Sequence, residues 1–461
     1  MRLLFCCESY YPAEGGVAEV MRQIAERMVL AGHDVTVATA RHARRNFNKH
    51  NGVEIRQFKV GGNLVHGIVG EFDRYRDFVV NFAADAILIK AAQQWTFDAL
   101  WPVFVRLKSR IVFIPCGYSC FYEPDYAKYF GQLRSILREC DHLIFYADSY
   151  RDIDFARELG LTNFSVLPNG ASELEFDRVA DPGFRRRLGI SDDDFVFLTV
   201  GSPVGMKGHA AVAEAFARLE TNGRPATLIL NGNWPAACRP RRMSHEWMWF
   251  RLAGLSRALR CRLADGALLL RESSKVIRQA GWAAFAKRVR RTITRGHAAA
   301  PQGSSRTTII HDWVDEARSQ PGKQVLCTNL SRSDVVEAFL TANLFVFASL
   351  VEYSPLVLFE AAAAGTPFLS VPVGNAEEIA RWTGGGLICP ATRDGLGYTR
   401  VDPEVLAREM RRYMSDLQLL DHLGRTARDN WRRQFTWEAI APRYEKILAR
   451  TGKGADRGSC R

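Results

Sequence analysis

Long apolar runs are missing from this chain of 461 residues. Nowhere does it offer the roughly 20 uninterrupted apolar residues that a membrane-spanning helix needs, so none is expected. The opening run, Met1-Arg-Leu-Leu-Phe-Cys-Cys-Glu8, also lacks the apolar core of a leader peptide, because Glu8 and Glu14 interrupt it. It reads as a first strand. Paired Cys-x-x-Cys spacing is absent among the ten cysteines. Most of them, the neighbours Cys6 and Cys7 included, sit in strand-like apolar runs. That pattern fits small core residues in a reducing compartment rather than disulfides or a metal site. No cluster of His and Asp points to a metal, and no cofactor is expected. No nucleic-acid-binding module is recognisable.

Apolar residues make up 47% of the chain and charged ones 24%, enough to bury the cores of two domains. Apolar runs predict strands at 2–8, 34–40, 54–60, 85–90, 110–116, 142–147 and 163–169, then at 195–201, 226–232, 323–329, 344–349, 367–372 and 386–390. Helical patterns alternate with them, which means parallel sheets covered by helices on both faces. The two halves repeat one doubly wound α/β plan, with a boundary near 170–185 where Asp181-Pro182-Gly183 punctuates the chain. The expected domains are 1–175 and 176–435. Residues 436–450 form an amphipathic helix, and 451–461 read as a disordered tail. Ligands of such sheets bind at the carboxyl ends of the strands.

Charge is distributed unevenly. Residues 232–310 hold sixteen Lys and Arg against three acids, a net of +13, whereas the whole chain is +12. The basic character therefore belongs to one insertion. Within it Trp247, Trp249, Leu252, Leu255 and Leu259 have helical spacing among arginines. A second helical pattern, Lys275 to Arg295, brings Ile277, Gly281, Phe285, Val289 and Ile293 within helical reach of one another, with Lys287, Arg288, Arg290 and Arg291 on its polar side. Basic faces beside Trp and Leu suit a helix lying on an anionic membrane. An insertion packed on the second domain, with its arginines in water, or contact with another polyanion, are the other readings.

The most informative run is Glu352-Tyr-Ser-Pro-Leu-Val-Leu-Phe-Glu360. The strand before it empties into a short loop. Ser354 suits an N-cap, Pro355 the first helical position, and Leu356 to Ala364 are strong helix formers. A helix start offers unpaired N–H groups and the positive end of a dipole, so Ser354, Pro355, Leu356 and Val357 would line an anion site. Glu352 would precede that end and Glu360 would follow it on the helix. Two carboxylates beside an anion site suit a ligand bearing both phosphates and hydroxyls, which describes a nucleotide sugar.

This pattern resembles the paired-glutamate motif of the retaining GT-B glycosyltransferases, the family 4 or group 1 enzymes. Other segments follow in the family's order. The first strand runs into Tyr10-Tyr11-Pro12-Ala13-Glu14-Gly15-Gly16 and then a helix with Val17, Val20, Met21, Ile24 and Met28 on one face, ending at Gly32. That glycine loop lets backbone approach a phosphate closely. Leu167-Pro-Asn-Gly170 resembles the turn before the interdomain linker. Phe195 to Gly201, then Met206-Lys207-Gly208, resembles the opening of the second domain. The likeness covers 1–231 and 323–450. It implies two Rossmann-like domains facing a cleft, the basic helical insertion in the second, and the C-terminal helix returning to the first.

The resemblance also implies a reaction and its residues. A hexose would pass from a UDP- or GDP-sugar to a hydroxyl acceptor, with retention. Lys207 and the helix start at Ser354 would stabilise the departing diphosphate, Glu352 would contact the donor sugar, and Glu360 would bind the ribose. Gly15, Gly16 and Ser202 would complete the nucleotide-sugar contacts. The acceptor would be a glycan or lipid-linked sugar in bacterial polysaccharide or glycolipid assembly. The expected location is cytoplasmic, at the inner face of the plasma membrane.

Two departures stand out. Many family members carry an arginine shortly after the second domain's first strand, yet Gly201-Ser202-Pro203-Val204-Gly205 has none. Many also carry a first-domain histidine near the donor sugar, where this chain offers Lys90 and Tyr118. Three other readings therefore stay open: a relative without catalysis that binds or scaffolds, a GT-B epimerase or phosphosugar synthase, and a nucleic-acid binder acting through the insertion.

Overall fold

The computed structural model describes residues 1–203, 205–234, 304–395 and 397–450, with backbone alone for 304–309. Val204, Leu396, residues 235–303 of the 232–310 insertion with its two expected basic helices, and the tail 451–461 lie outside the described residues. Among the described residues the chain forms two units. Unit 1 comprises 1–173, 353–356 and 432–450; unit 2 comprises 174–352 and 357–431.

Unit 1 is built on β1 (Arg2–Cys6), β2 (Asp34–Ala40), β3 (Lys49–His50), β4 (Val53–Phe58), β5 (Val60–Asn63), β6 (Gly67–Gly70), β7 (Ala86–Lys90), β8 (Arg110–Ile114), β9 (His142–Phe145) and β10 (Phe164–Val166). Eight of these form one sheet in the order β10-β9-β8-β7-β1-β2-β4-β3, and β5 and β6 form a separate hairpin. All pairs in the large sheet are parallel except β3 with β4. Strands covered on both faces must be apolar throughout, and Leu3, Leu4, Phe5 and Cys6 are fully buried. The helix Gly16–Leu30 buries Val20, Met21, Ile24 and Met28. It closes at Gly32, whose φ of 85° suits glycine. The helix Trp437–Leu448 begins at Thr436, whose hydroxyl accepts the Ala439 amide at 3.1 Å. Its Trp437, Ile440, Tyr444 and Ile447 share one core cluster with Leu3, Phe5, Met21 and Ile24.

Unit 2 follows the same plan with β11 (Phe195–Val200), β12 (Ala226–Asn231), β13 (Lys323–Thr328), β14 (Leu344–Phe347), β15 (Phe368–Ser370) and β16 (Gly386–Ile388). The sheet order is β13-β12-β11-β14-β15-β16, all parallel. A small antiparallel pair, β17 (Thr392–Arg393) with β18 (Thr399–Arg400), stands apart. In each sheet the chain leaves its first strand to one side and later returns to the other. The reversal falls between β1 and β7 in unit 1 and between β11 and β14 in unit 2. At such a point the loops on the carboxyl ends diverge and leave a crevice, the place where doubly wound sheets bind ligands.

Every strand expected from the apolar runs is present with slightly shifted ends, and β3, β5, β6, β17 and β18 are additional. Among the described residues no helix is long and apolar enough to cross a membrane.

Candidate active site

In unit 2 the loop leaving β11 is laid directly on the chain leaving β14. Gly208 has φ 76°, and a Cβ there would come within 1.9 Å of the Ala348 carbonyl oxygen, so the contact requires glycine. The Leu350 amide donates to the Met206 carbonyl at 2.8 Å. The buried Ser349 hydroxyl lies 3.0 Å from the same carbonyl and 2.9 Å from Glu352 Oε1. These bonds bring Lys207 Nζ to 2.5 Å from Glu352 Oε1. The lysine side chain is 39% exposed and the glutamate 13%, so the pair opens to solvent on the lysine side. A pair of this exposure contributes about 1 kcal/mol or less, which makes it easy for a stronger anion to displace. Behind it, His209 is buried, and burial lowers its pKa to about 4, so its ring is neutral. Ser202 lies in the same loop.

Glu360 lies on the helix Leu356–Ala364, whose other residues are all apolar. It is itself buried, at 8% exposure. Arg332, at the start of the helix Arg332–Thr341, reaches it with Nη2 at 2.7 Å from Oε1. The same guanidinium grips Glu175 through Nε at 2.9 Å and Nη2 at 2.7 Å. Burial works against the charge of Arg332, but the carboxylates of Glu360 and Glu175 outweigh it and hold the group above its ordinary pKa.

In unit 1 the glycine loop after β1 is held by a buried arginine. Arg45 donates through Nε to the Tyr11 carbonyl at 2.7 Å and through Nη2 to the Tyr10 carbonyl. Gly15 has φ 134°, and Gly16 opens the following helix with its α-carbon facing Leu356. Tyr353 is packed so closely on Gly117 that a Cβ there would lie 2.7 Å from its ring. Its hydroxyl accepts the Tyr146 amide at 3.0 Å and bonds Asp152. Asn169 Nδ2 donates to the Ser354 carbonyl at 3.0 Å.

These contacts correct one expectation. The helix starts at Leu356, Pro355 stands just before it, and the Ser354 hydroxyl finds no hydrogen-bond partner among the described residues. Ser354 is therefore not a side-chain N-cap, because the loop is set by Tyr353 and Asn169 rather than by local capping. Both substitutes for the family histidine are interior groups. Lys90 is 2% exposed, donates to the Tyr146 hydroxyl, and has its pKa lowered by burial. Tyr118 is 1% exposed, with Phe121, Phe130 and Phe155 around its ring. The loops after β7 and β8 do carry strain: Ala91, Gln93, Cys116 and Tyr118 all have positive φ, from 49° to 71°. Each costs about 1–2 kcal/mol, and such strain gathers at functional sites.

Residues 315–430 match the family model of glycosyl transferases group 1. The matched stretch holds Glu352, Glu360 and Arg332. The whole fold is similar to solved structures of that architecture. Sucrose-phosphate synthase from Thermosynechococcus elongatus has a TM-score of 0.64 at 17% identity, over 97% of this chain and 98% of the other. A glycosyltransferase from Rickettsia africae reaches 0.63 at 11% identity, over 97% of each chain. HepE of Anabaena, solved with UDP and glucose, reaches 0.62 at 15%, over 97% and 99%. These likenesses carry the fold: two Rossmann-like units of the GT-B type. No curated protein matches the sequence.

Within this frame the structure brings Lys207 and Glu352 together at the reversal point of unit 2. It places Glu360 in a separate ion cluster, and Gly15 and Gly16 at the reversal point of unit 1. Local sequence patterns do not single out Arg332, Glu175 or Arg45. Ser331-Arg332-Ser333-Asp334 does carry a helix-start signature, and Ser331 caps that helix, but nothing local names Glu360 as the arginine's partner.

Proposed function

We propose that this chain is a retaining glycosyltransferase that moves a hexose from a UDP- or GDP-sugar to a hydroxyl of a glycan or lipid-linked acceptor. The observation that carries the reading is the Lys207–Glu352 pair, held by Ser349 and Met206 at the reversal point of unit 2. A donor diphosphate displaces Glu352 from Lys207, so the ammonium faces the bridging oxygen and the carboxylate is released toward a sugar hydroxyl. The bond from the anomeric carbon to the phosphate oxygen breaks while the acceptor oxygen attacks from the same face. The acceptor's proton passes to the departing phosphate, which needs no separate base. Lys207, the helix dipole at Leu356 and the first-turn amides offset the charge that builds on the diphosphate. Glu360 takes the ribose hydroxyls, and Ser202 sits against the donor. This chemistry requires no metal. The UDP in HepE supports a uridine donor by analogy of fold alone.

Glu352→Gln and Glu360→Gln are each expected to cut transfer at least about tenfold in a protein that still folds. The loss at Glu360 should fall on donor KM and the loss at Glu352 on kcat. Wild-type kinetics in either variant removes the basis of the site.

The setting we propose is bacterial polysaccharide or glycolipid assembly at the cytoplasmic face of the membrane, with residues 232–310 on anionic lipid. The net charge of +13 in that segment supports it. Each Lys or Arg near such a surface contributes about 1 kcal/mol, and salt screens it over about 10 Å at 0.1 M but about 3 Å at 1 M. Co-sedimentation should show binding to anionic vesicles that fades with salt and with Arg288, Arg290 and Arg291 changed together to Gln. Equal binding to neutral vesicles, or none at low salt, contradicts it. A second reading, a relative that binds donor without catalysis, is favoured by the burial of both Lys90 and Tyr118.

A further inference from the structure

We propose that Arg332 is a positioning residue that presents Glu360 to the nucleotide ribose, braced from behind by Glu175. The inference rests on the reading of Glu360 as the ribose ligand. A carboxyl group on an otherwise apolar helix, at 8% exposure, is costly to bury without a partner. Arg332 supplies that partner at Oε1. A carboxylate keeps acceptor capacity on its second oxygen, so Oε2 remains able to take hydrogen bonds from a vicinal diol.

The orientation is fixed by what holds the arginine. Two of its nitrogens grip both oxygens of Glu175 in a fork, at 2.9 and 2.7 Å, and its guanidinium carbon lies 5.8 Å from the centroid of the Phe176 ring. A guanidinium has a planar fork of donors, so anchoring one edge on Glu175 leaves the direction of the remaining donors determined. Glu175 and Phe176 open unit 2 in sequence, Arg332 begins one helix, and Glu360 lies on another. Three separate segments thus converge to hold one carboxylate. A lysine in place of Arg332 could supply charge to Glu360 but could not grip Glu175 with a fork at the same time.

The test compares binding of UDP with 2′-deoxy-UDP, and of GDP with 2′-deoxy-GDP, by isothermal titration, in wild type, Arg332→Ala, Arg332→Lys, Glu360→Gln and the double variant Arg332→Ala/Glu360→Gln. Wild type should prefer the ribonucleotide about tenfold or more, the scale of a hydrogen bond to a charged group. Arg332→Ala should abolish most of that preference while leaving the deoxynucleotide within about twofold, and Arg332→Lys should retain part of it. The double variant should bind no more weakly than Glu360→Gln, because both changes remove one device. A merely structural arginine would weaken both nucleotides alike. If Glu360→Gln loses the preference while both Arg332 variants keep it, the positioning role is overturned and the ribose reading stands. If every variant keeps it, or wild type shows none, both are overturned. Should the alanine variant fail to fold, the lysine variant decides: full wild-type preference there overturns the proposal.

Discussion

Asp152 is fully buried in unit 1, where it accepts the Gly117 amide at 2.9 Å and the Ile153 amide at 3.0 Å and bonds the Tyr353 hydroxyl. Burial raises its pKa from 3.8 to about 6, although those hydrogen bonds pull the other way. The folded chain therefore holds this proton more tightly than the unfolded one. Between about pH 4 and pH 6 the contribution of Asp152 to stability declines as pH rises, and above that window its cost is complete. Asp152→Asn removes the titration, so the stability of the variant relative to wild type should improve by about 2 kcal/mol between pH 4 and pH 7. Urea unfolding at both pH values reads this. Profiles that stay parallel would show that Asp152 keeps an ordinary pKa. Asp98, also raised to about 6 by burial, is common to both proteins and cancels in the comparison.

At the scale of elements, the site depends on one glycine contact. Gly208→Ala would drive a methyl into the Ala348 carbonyl and push the β11 loop off the end of β14, breaking the Leu350–Met206 bond and separating Lys207 from Glu352. The variant should lose about 1–3 kcal/mol of stability and bind donor more weakly, read by thermal unfolding with and without nucleotide. Unchanged melting and binding would mean that the loop has room to move. Element identity was legible wherever burial writes itself into composition. Parallel strands covered on both faces, such as Leu3–Cys6 and Leu344–Phe347, read as unbroken apolar runs. The additional strands did not. β5 and β6 contain Gly61, Gly62, Gly67 and Gly70, and β3, β17 and β18 have two residues each, too short to show alternation. Ser354 carried a sound capping signature that was overridden by Tyr353 and Asn169, contacts made with distant segments.

Across the whole molecule, the two-unit doubly wound plan and the positions of Lys207, Glu352, Gly15 and Gly16 at strand ends could be read from the order of runs and loops. The partners could not. Arg332 meets Glu175 and Glu360, and Arg45 meets Tyr10 and Tyr11, through tertiary approach that local patterns do not encode. The charge of the chain is legible as a quantity and as a location, since 232–310 holds a net +13. The central claim is sugar transfer driven by Lys207 in the loop after β11. It is tested most directly by following purified protein with UDP- and GDP-hexoses by NMR, with simple glycosides present as acceptors. The account predicts release of nucleoside diphosphate from one donor, a new sugar product with the donor's anomeric configuration, and loss of about a hundredfold or more in rate in Lys207→Ala. Nucleotide binding without release of diphosphate from any donor, or equal turnover in Lys207→Ala at saturating donor, would contradict it.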